Sequence, residues 1–204
     1  MYEQIDSILP QNSGQGVVMP DFEPLQNFAG VLFLGENPGD SDVQSNEHFV
    51  GPYSRIFNDE LLPNSNLKRE QIYLTNVTKF NLPANRDPTD SEITSCKELT
   101  IAEIAYIKPK IIVAMGKYAA EFFLGDGIKI TKIHGQFFRF QMFANLEFDL
   151  LITVHPAAAN HNPAYLNSIR ADFELLKEYL EDKNNVKILE IPKQEKINQS
   201  TELL

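Results

Sequence analysis

Two short stretches of this 204-residue chain set polar, turn-forming residues directly behind an apolar run. Gly35-Glu36-Asn37-Pro38-Gly39-Asp40 follows Val31-Leu32-Phe33-Leu34, and Val154-His155-Pro156-Ala157-Ala158 follows Leu150-Leu151-Ile152-Thr153. A third run, Ile72-Tyr73-Leu74-Thr75, ends in Asn76-Val77. The groups on offer are a carboxylate (Glu36), two carboxamides (Asn37, Asn76) and an imidazole (His155). Open α/β sheets bind ligands off the carboxyl edge of their strands, so residues of these types at strand ends mark a candidate site.

The elements that must position them follow from periodicity and punctuation. Strands are expected over 30–35, Ile72–Val77 and Ile111–Gly116, the last a continuous apolar run of the kind buried on both faces. Ile128–Gln141 and Leu146–Val154 read as extended. Helices are expected over 53–62, from Thr89 or Asp90 to Ile107, over 117–124 and from Ala164 to Leu180. Thr89 with Glu92 three residues on has the form of a capping box, and Gly125 suits a helix end. Strands alternating with helices at this spacing imply an α/β fold, a three-layer α/β/α arrangement around a central, mainly parallel four-stranded sheet.

The length suits one domain, 1–204, with a sizeable core. Residues 1–28, polar and containing Pro10, Pro20 and Pro24, read as an N-terminal wrap. Residues 181–204 read as a charged, flexible tail with at most a short strand at Val186–Ile191. The start of the chain lacks the basic and apolar pattern of a signal peptide, and no apolar run spans a bilayer. The expectation is a cytoplasmic, nucleoid-associated monomer with no membrane contact. One cysteine, Cys96, rules out an internal disulfide framework.

The net charge of −10 argues against nucleic acid, but its distribution weakens the objection. Residues 1–60 hold ten acidic groups and one basic, whereas 61–160 hold eleven basic and ten acidic. A weakly basic face around Lys129, Lys132, His134 and Arg139 is therefore compatible with a DNA partner.

The order of motifs resembles the uracil-DNA glycosylase superfamily, and within it the family-four, iron–sulfur type, over roughly residues 29–180. The motifs are Gly35-Glu36-Asn37-Pro38-Gly39, Phe49-Val50-Gly51, Tyr73-Leu74-Thr75-Asn76-Val77-Thr78-Lys79, Asn85-Arg86-Asp87-Pro88-Thr89, Lys108-Pro109-Lys110, Ile130-Thr131-Lys132-Ile133-His134-Gly135 and His155-Pro156-Ala157-Ala158. The resemblance implies hydrolysis of the N-glycosidic bond of uracil in DNA, leaving an abasic site. It places Glu36, Asn37 and His155 in catalysis: Glu36 and Asn37 at the attacking water, His155 donating to the base O2. Gly35 and Pro38 would cup the base, Phe49 would stack on it, and Asn76 would read its O4 and N3–H. Pro156, Ala157, Asn160, His161 and Lys132 fall where relatives meet DNA. Each residue also fits a plainer role: Glu36 as a tie for loop amides, Phe49 as core, Asn76 as a turn former, His155 as a structural histidine. Asn37 resembles the mismatch-specific branch, which leaves another deaminated base open, and a non-catalytic binding member is the alternative of a different class.

Two departures from the family pattern stand out. Four cysteines hold the family-four cluster, whereas here Cys96 matches the fourth ligand, Phe80 replaces the third, and no Cys-x-x-Cys precedes Val31. No cluster, metal or other cofactor is expected, with Phe80 and the N-terminal wrap securing the loop instead. After His155 the usual bulky wedge and arginine give way to Ala159-Asn160-His161. Small, polar residues there suit single-stranded uracil DNA better than duplex. The insertion after Asn76 found in relatives that trap DNA covalently is missing.

Overall fold

The computed structural model describes residues 16–18, 25 and 27–191. Its sheet has six strands in the order β2-β1-β3-β5-β4-β6. These are β1 (Val31–Gly35), β2 (Ile72–Asn76), β3 (Ile111–Met115), β4 (Phe137–Phe143), β5 (Leu146–Thr153) and β6 (Ile188–Glu190). The helices are α1 (Asp40–Ser45), α2 (Leu62–Asn64), α3 (Asp90–Ile107), α4 (Lys117–Leu124), α5 (Ile130–Ile133), α6 (Ala158–His161) and α7 (Ala164–Glu181).

The inner four strands are parallel: Val31 pairs with both Ile72 and Ile111, and Ile111 with Asp149. Every residue of β1 and β3 is buried, because helices cover both faces and leave no solvated side to demand alternation. On one face Val31, Phe33, Val113 and Leu151 meet Phe57, Leu61, Phe173 and Leu176. The Phe33 ring lies edge-on to Phe57 at 5.1 Å and stacks with Phe173 at 5.9 Å, the geometries that aromatic quadrupoles favour. On the other face Leu32, Leu34, Ile112 and Ile152 meet Ile104 of α3 and Ala119, Ala120 and Phe123 of α4. The three layers expected from the sequence are present. The capping box is too: Thr89 Oγ1 accepts from Glu92 N–H at 3.3 Å, and Thr89 N–H donates to the Glu92 carboxylate at 2.8 Å.

Three expectations need correction. The sheet exceeds four strands because β4 pairs antiparallel with β5 and β6 adds in parallel to β4. The segment read as extended over Ile128–Gln141 opens with helix α5. The helix expected at 53–62 is instead a 3₁₀ turn (Pro52–Ser54), a π-helical stretch (Phe57–Leu61) and α2; Pro63 has no N–H for the ladder that a regular α-helix would require. Within 181–191, Lys183–Asn185 form a 3₁₀ turn and Ile188–Glu190, inside the short strand expected at Val186–Ile191, join the sheet, while 192–204 lie outside the described residues. Most of the expected N-terminal wrap also lies outside them, but Val17 bridges Phe80 and Val18 N–H donates to the Lys79 carbonyl at 2.9 Å. Among the described residues no helix is long and apolar enough to cross a membrane.

The strand order decides where a ligand can enter. From β1 the chain crosses to β2 on one side, then returns through α3 to β3 on the other side of β1. The polypeptide leaving β1 packs against one face through Phe57 and Leu61, and the helix leaving β3 packs against the opposite face through Ala119 and Phe123. Their divergence opens a crevice at the carboxyl ends of β1 and β3, the topological switch point of such sheets.

Candidate active site

Parallel register brings the separated motifs to one edge. Gly35, the last residue of β1, pairs with Asn76, the last of β2, while Gly116 N–H donates to the Thr153 carbonyl at 2.8 Å and so ties the end of β3 to that of β5. A side chain on Gly35 would strike Asn76 Oδ1 and come within 2.7 Å of Phe49 Cζ. Glycine thus lets the Asn76 amide and the Phe49 ring close on the end of β1. Gly116 adopts φ +92°, and a Cβ there would press on His155 at 3.2 Å, so the second glycine makes room for the imidazole. The rings of Phe49 and His155 face one another at 6.2 Å between centroids, tilted by 24°. Phe49, Asn76 and His155, distant in sequence, therefore gather at one strand edge beside the Glu36-Asn37-Pro38 turn.

His155 is oriented by its own loop. Its Nδ1 accepts from Ala157 N–H at 3.2 Å, which leaves the proton on Nε2. Burial pushes its pKa down to about 4, so at neutral pH it is an uncharged Nε2–H donor. Glu36 is shifted the other way. Burial, reinforced by Asp87 and partly offset by Lys117, raises its pKa to about 7, where a carboxyl group can both accept and hold a proton. The Asn37 amide nitrogen turns back to the Pro38 carbonyl at 3.0 Å.

Several residues that support this arrangement were not singled out from the sequence. Asp42, 7% exposed, accepts from Gly39 N–H at 3.1 Å and from Val50 and Gly51 N–H at 2.9 and 3.3 Å. One carboxylate thereby joins the turn after β1 to the loop carrying Phe49. Phe49 itself sits at φ +57°, a strained conformation for a bulky residue. The strain is held by Asn58, which donates to the Phe49 carbonyl at 2.7 Å, and by Arg69, which grips the His48 carbonyl and donates to Asn58 Oδ1 at 3.0 Å. Buried His48 meets Asn76 Nδ2 through Nδ1 at 3.1 Å. Beneath β2, Lys79 donates to the Asn76 carbonyl at 2.6 Å and to Thr75 Oγ1 at 2.7 Å, and pairs with Glu103, whose carboxylate also accepts from Thr75 and Tyr73. Most of these links have no local signature, because they join residues on different elements.

The outer side of the edge is sparser. Pro156 is buried and Ala157 half-buried, while Asn160, His161 and Lys132 are exposed. Ala159 is only 6% exposed and packs into the core, so it cannot enter a base stack. The basic face expected around Lys129, Lys132, His134 and Arg139 is reduced to its lysines. His134 faces Asp172 at 3.0 Å, and Arg139 is engaged by Asp149 at 2.7 Å and Glu147 at 3.5 Å.

The cluster implied by the family-four resemblance does not fit the residues present. The whole chain has one cysteine, and its thiol, pushed up in pKa by burial, lies in an apolar group with Phe80, Leu82 and Val17. Phe80 is 1% exposed. An aromatic ring and an uncharged thiol offer no set of thiolate ligands.

Comparison with known proteins accords with this geometry. A model of the uracil DNA glycosylase superfamily matches residues 23–182. The type-4 uracil-DNA glycosylase of Sulfurisphaera tokodaii is 32% identical over 154 residues, 74% of this chain and 70% of that protein. That of Archaeoglobus fulgidus is 30% identical over 154 residues, 74% of this chain and 76% of that one, and that of Saccharolobus solfataricus 31% over 161 residues, 76% and 73%. An α/β/α sheet with Phe49, Asn76 and His155 gathered at its switch point and a match of this extent define the class. The chain belongs to the uracil DNA glycosylase superfamily.

Proposed function

We propose that the protein hydrolyses the N-glycosidic bond of uracil in DNA, releasing the free base and leaving an abasic site. The observation that carries this reading is the convergence of Phe49, Asn76 and His155 on one strand edge next to Glu36 and Asn37, supported by family membership and by the type-4 uracil-DNA glycosylases among its relatives.

Bond cleavage leaves positive charge on the sugar and negative charge on the departing base, and an enzyme gains most by stabilising both. The flipped base stacks on Phe49. His155 donates its Nε2–H to O2 as negative charge gathers there; being uncharged and already oriented, it need not reorganise. Asn76 accepts from N3–H and donates to O4. Asn37, its amide nitrogen committed to Pro38, offers Oδ1 to the attacking water, and ionised Glu36 stabilises the sugar cation or takes the water's proton. The exposed, small rim at Asn160 and His161 favours single-stranded DNA, and the protein acts as a monomer without cluster or metal.

The test is release of base from oligonucleotides carrying one uracil, single-stranded or opposite G or A, followed by alkali cleavage of the abasic site. Native protein should cleave, and His155→Ala and Asn37→Ala should each lose about 100- to 1000-fold. Cleavage of hypoxanthine or xanthine in place of uracil would move the base assignment, and no cleavage of any of these would leave a binding role.

A further inference from the structure

We propose that His48 is a positioning residue that locks the Asn76 carboxamide in the orientation that reads uracil and rejects cytosine. The proposal rests on the uracil reading above and adds to it the element that makes the reading one-sided.

An asparagine is ambidextrous. Uracil presents an N3–H donor beside an O4 acceptor, and cytosine presents an N3 acceptor beside an amino donor. A carboxamide free to turn over would satisfy either base. Asn76 is not free, because its Nδ2 lies 3.1 Å from His48 Nδ1, within a buried pair. With Nδ2 donating to that nitrogen, Oδ1 and the second N–H remain for the ligand. Oδ1 is turned toward Gly35, where an added Cβ would strike both it and the Phe49 ring. The acceptor thus faces the end of β1 beside the Phe49 ring, the side on which a base stacked on Phe49 would present its N3–H.

Turning the amide over would set Oδ1 against the lone pair of His48 Nδ1 unless that nitrogen gained a proton. Burial, with Lys79 and Arg69 beside it, pushes its pKa down to about 3 and disfavours the imidazolium, so only the neutral Nδ1–H tautomer could pair with the turned amide, and the lock is the Nε2–H tautomer of the ring. The ring cannot easily move aside either. Its own carbonyl is gripped by Arg69, and the next carbonyl, of Phe49, accepts from Asn58 at 2.7 Å. His48 is 8% exposed, and its Nε2 has no hydrogen-bond partner among the described residues. A buried polar atom left unsatisfied is destabilising, so a histidine here is poorly explained by packing, and its contact with Asn76 is the interaction it makes.

Two measurements on the full chain test the lock. Long-range ¹⁵N–¹H spectra of labelled native protein read the tautomer of His48, assigned with His48→Asn, and should find Nδ1 unprotonated and hydrogen-bonded with the proton on Nε2. Kinetics on uracil and cytosine oligonucleotides then read its consequence. His48→Leu should lose about 10- to 100-fold in kcat/KM on uracil while its preference for uracil over cytosine narrows. His48→Asn, whose Oδ1 can occupy the place of Nδ1, should recover most of both. A proton on Nδ1 in native protein, or unchanged kcat/KM on uracil in folded His48→Leu, overturns the proposal. If native protein releases no uracil, the uracil reading fails, and the tautomer still decides whether the lock exists.

Discussion

Around β1 and β2 the carboxyl edge is fastened by bonds that reach across the fold, from Asp42 to Val50 and Gly51, from Arg69 to His48, and from Lys79 to Glu103. Past β5 the same edge is a four-residue helix whose exposed Asn160 side chain reaches only as far as the Ala157 carbonyl, 3.2 Å away. On the function proposed above, the first region addresses the base and the second the strand that presents it. Stiffness has been placed where two pyrimidines differing by an amide-like edge must be told apart. Little has been placed where a duplex would have to be pried open. This division predicts that damage to the first region lowers uracil release on single and double strands alike, whereas changes in the second alter the choice between strands.

Asp42→Ala gives the largest expected effect. Three backbone N–H groups lose their acceptor at once, and the turn bearing Asn37 separates from the loop bearing Phe49. A displacement of about 1 Å costs on the order of 100-fold in rate, so uracil release should fall about 100- to 1000-fold on single and double strands alike. Loss of a buried acceptor serving several donors should also lower stability by about 2–4 kcal/mol in urea denaturation. Native-like activity would show that the two loops are held by other means.

The pH profile sharpens the comparison from within the stiff region. If the carboxylate form of Glu36 is the active one, kcat/KM should rise about tenfold per pH unit below its pKa of about 7 and level off above it. Glu36→Gln should be slow and lack that limb. The linkage to stability has the opposite sense. A carboxyl whose folded pKa lies above its unfolded value stabilises the fold when protonated, and that contribution declines as pH rises from about 4.5 to 7. Above that window the ionised, half-buried group costs about 1–3 kcal/mol after allowance for its partial exposure. Glu36→Gln should therefore be more stable than native protein at pH 8 and no more so at pH 4.

How far the molecule could be read from its sequence follows the same divide between local and long-range interactions. β1, β3 and the α3 cap were legible because an apolar run or a Thr-x-x-Glu box states its meaning within a few residues. Gly35, Asn76 and His155 were legible because strand ends in a parallel sheet share an edge. His48 and Asp42 were not, since the partners that tie them to the site, Asn76 for the one and Val50 and Gly51 for the other, lie 28 and 8–9 residues away and only the folded loops bring them together. The basic face misled for the same reason: Asp172 and Asp149, which engage His134 and Arg139, come from α7 and β5. β6 was legible as a short strand, but its place beside β4 was not, since that pairing joins residues about 50 positions apart.

The smallest effect, and the one most specific to the rim, concerns Asn160. Extracting a base from a duplex costs a few kcal/mol, and an apolar side chain filling the gap recovers part of it. Ala159 cannot be that side chain, being packed in the core, but Asn160 is exposed and held only by its bond within the turn. Asn160→Leu should leave the fold and the single-strand rate unchanged and raise kcat/KM on uracil in duplex DNA about three- to tenfold, the equivalent of about 1 kcal/mol. Stopped assays on matched single- and double-stranded oligonucleotides read that ratio directly. An equal gain on both strands would place Asn160 within the pocket's function. No gain, in a protein whose native rates are already equal on the two substrates, would mean that another part of the edge opens the helix and that the contrast between stiff pocket and sparse rim does not govern strand choice.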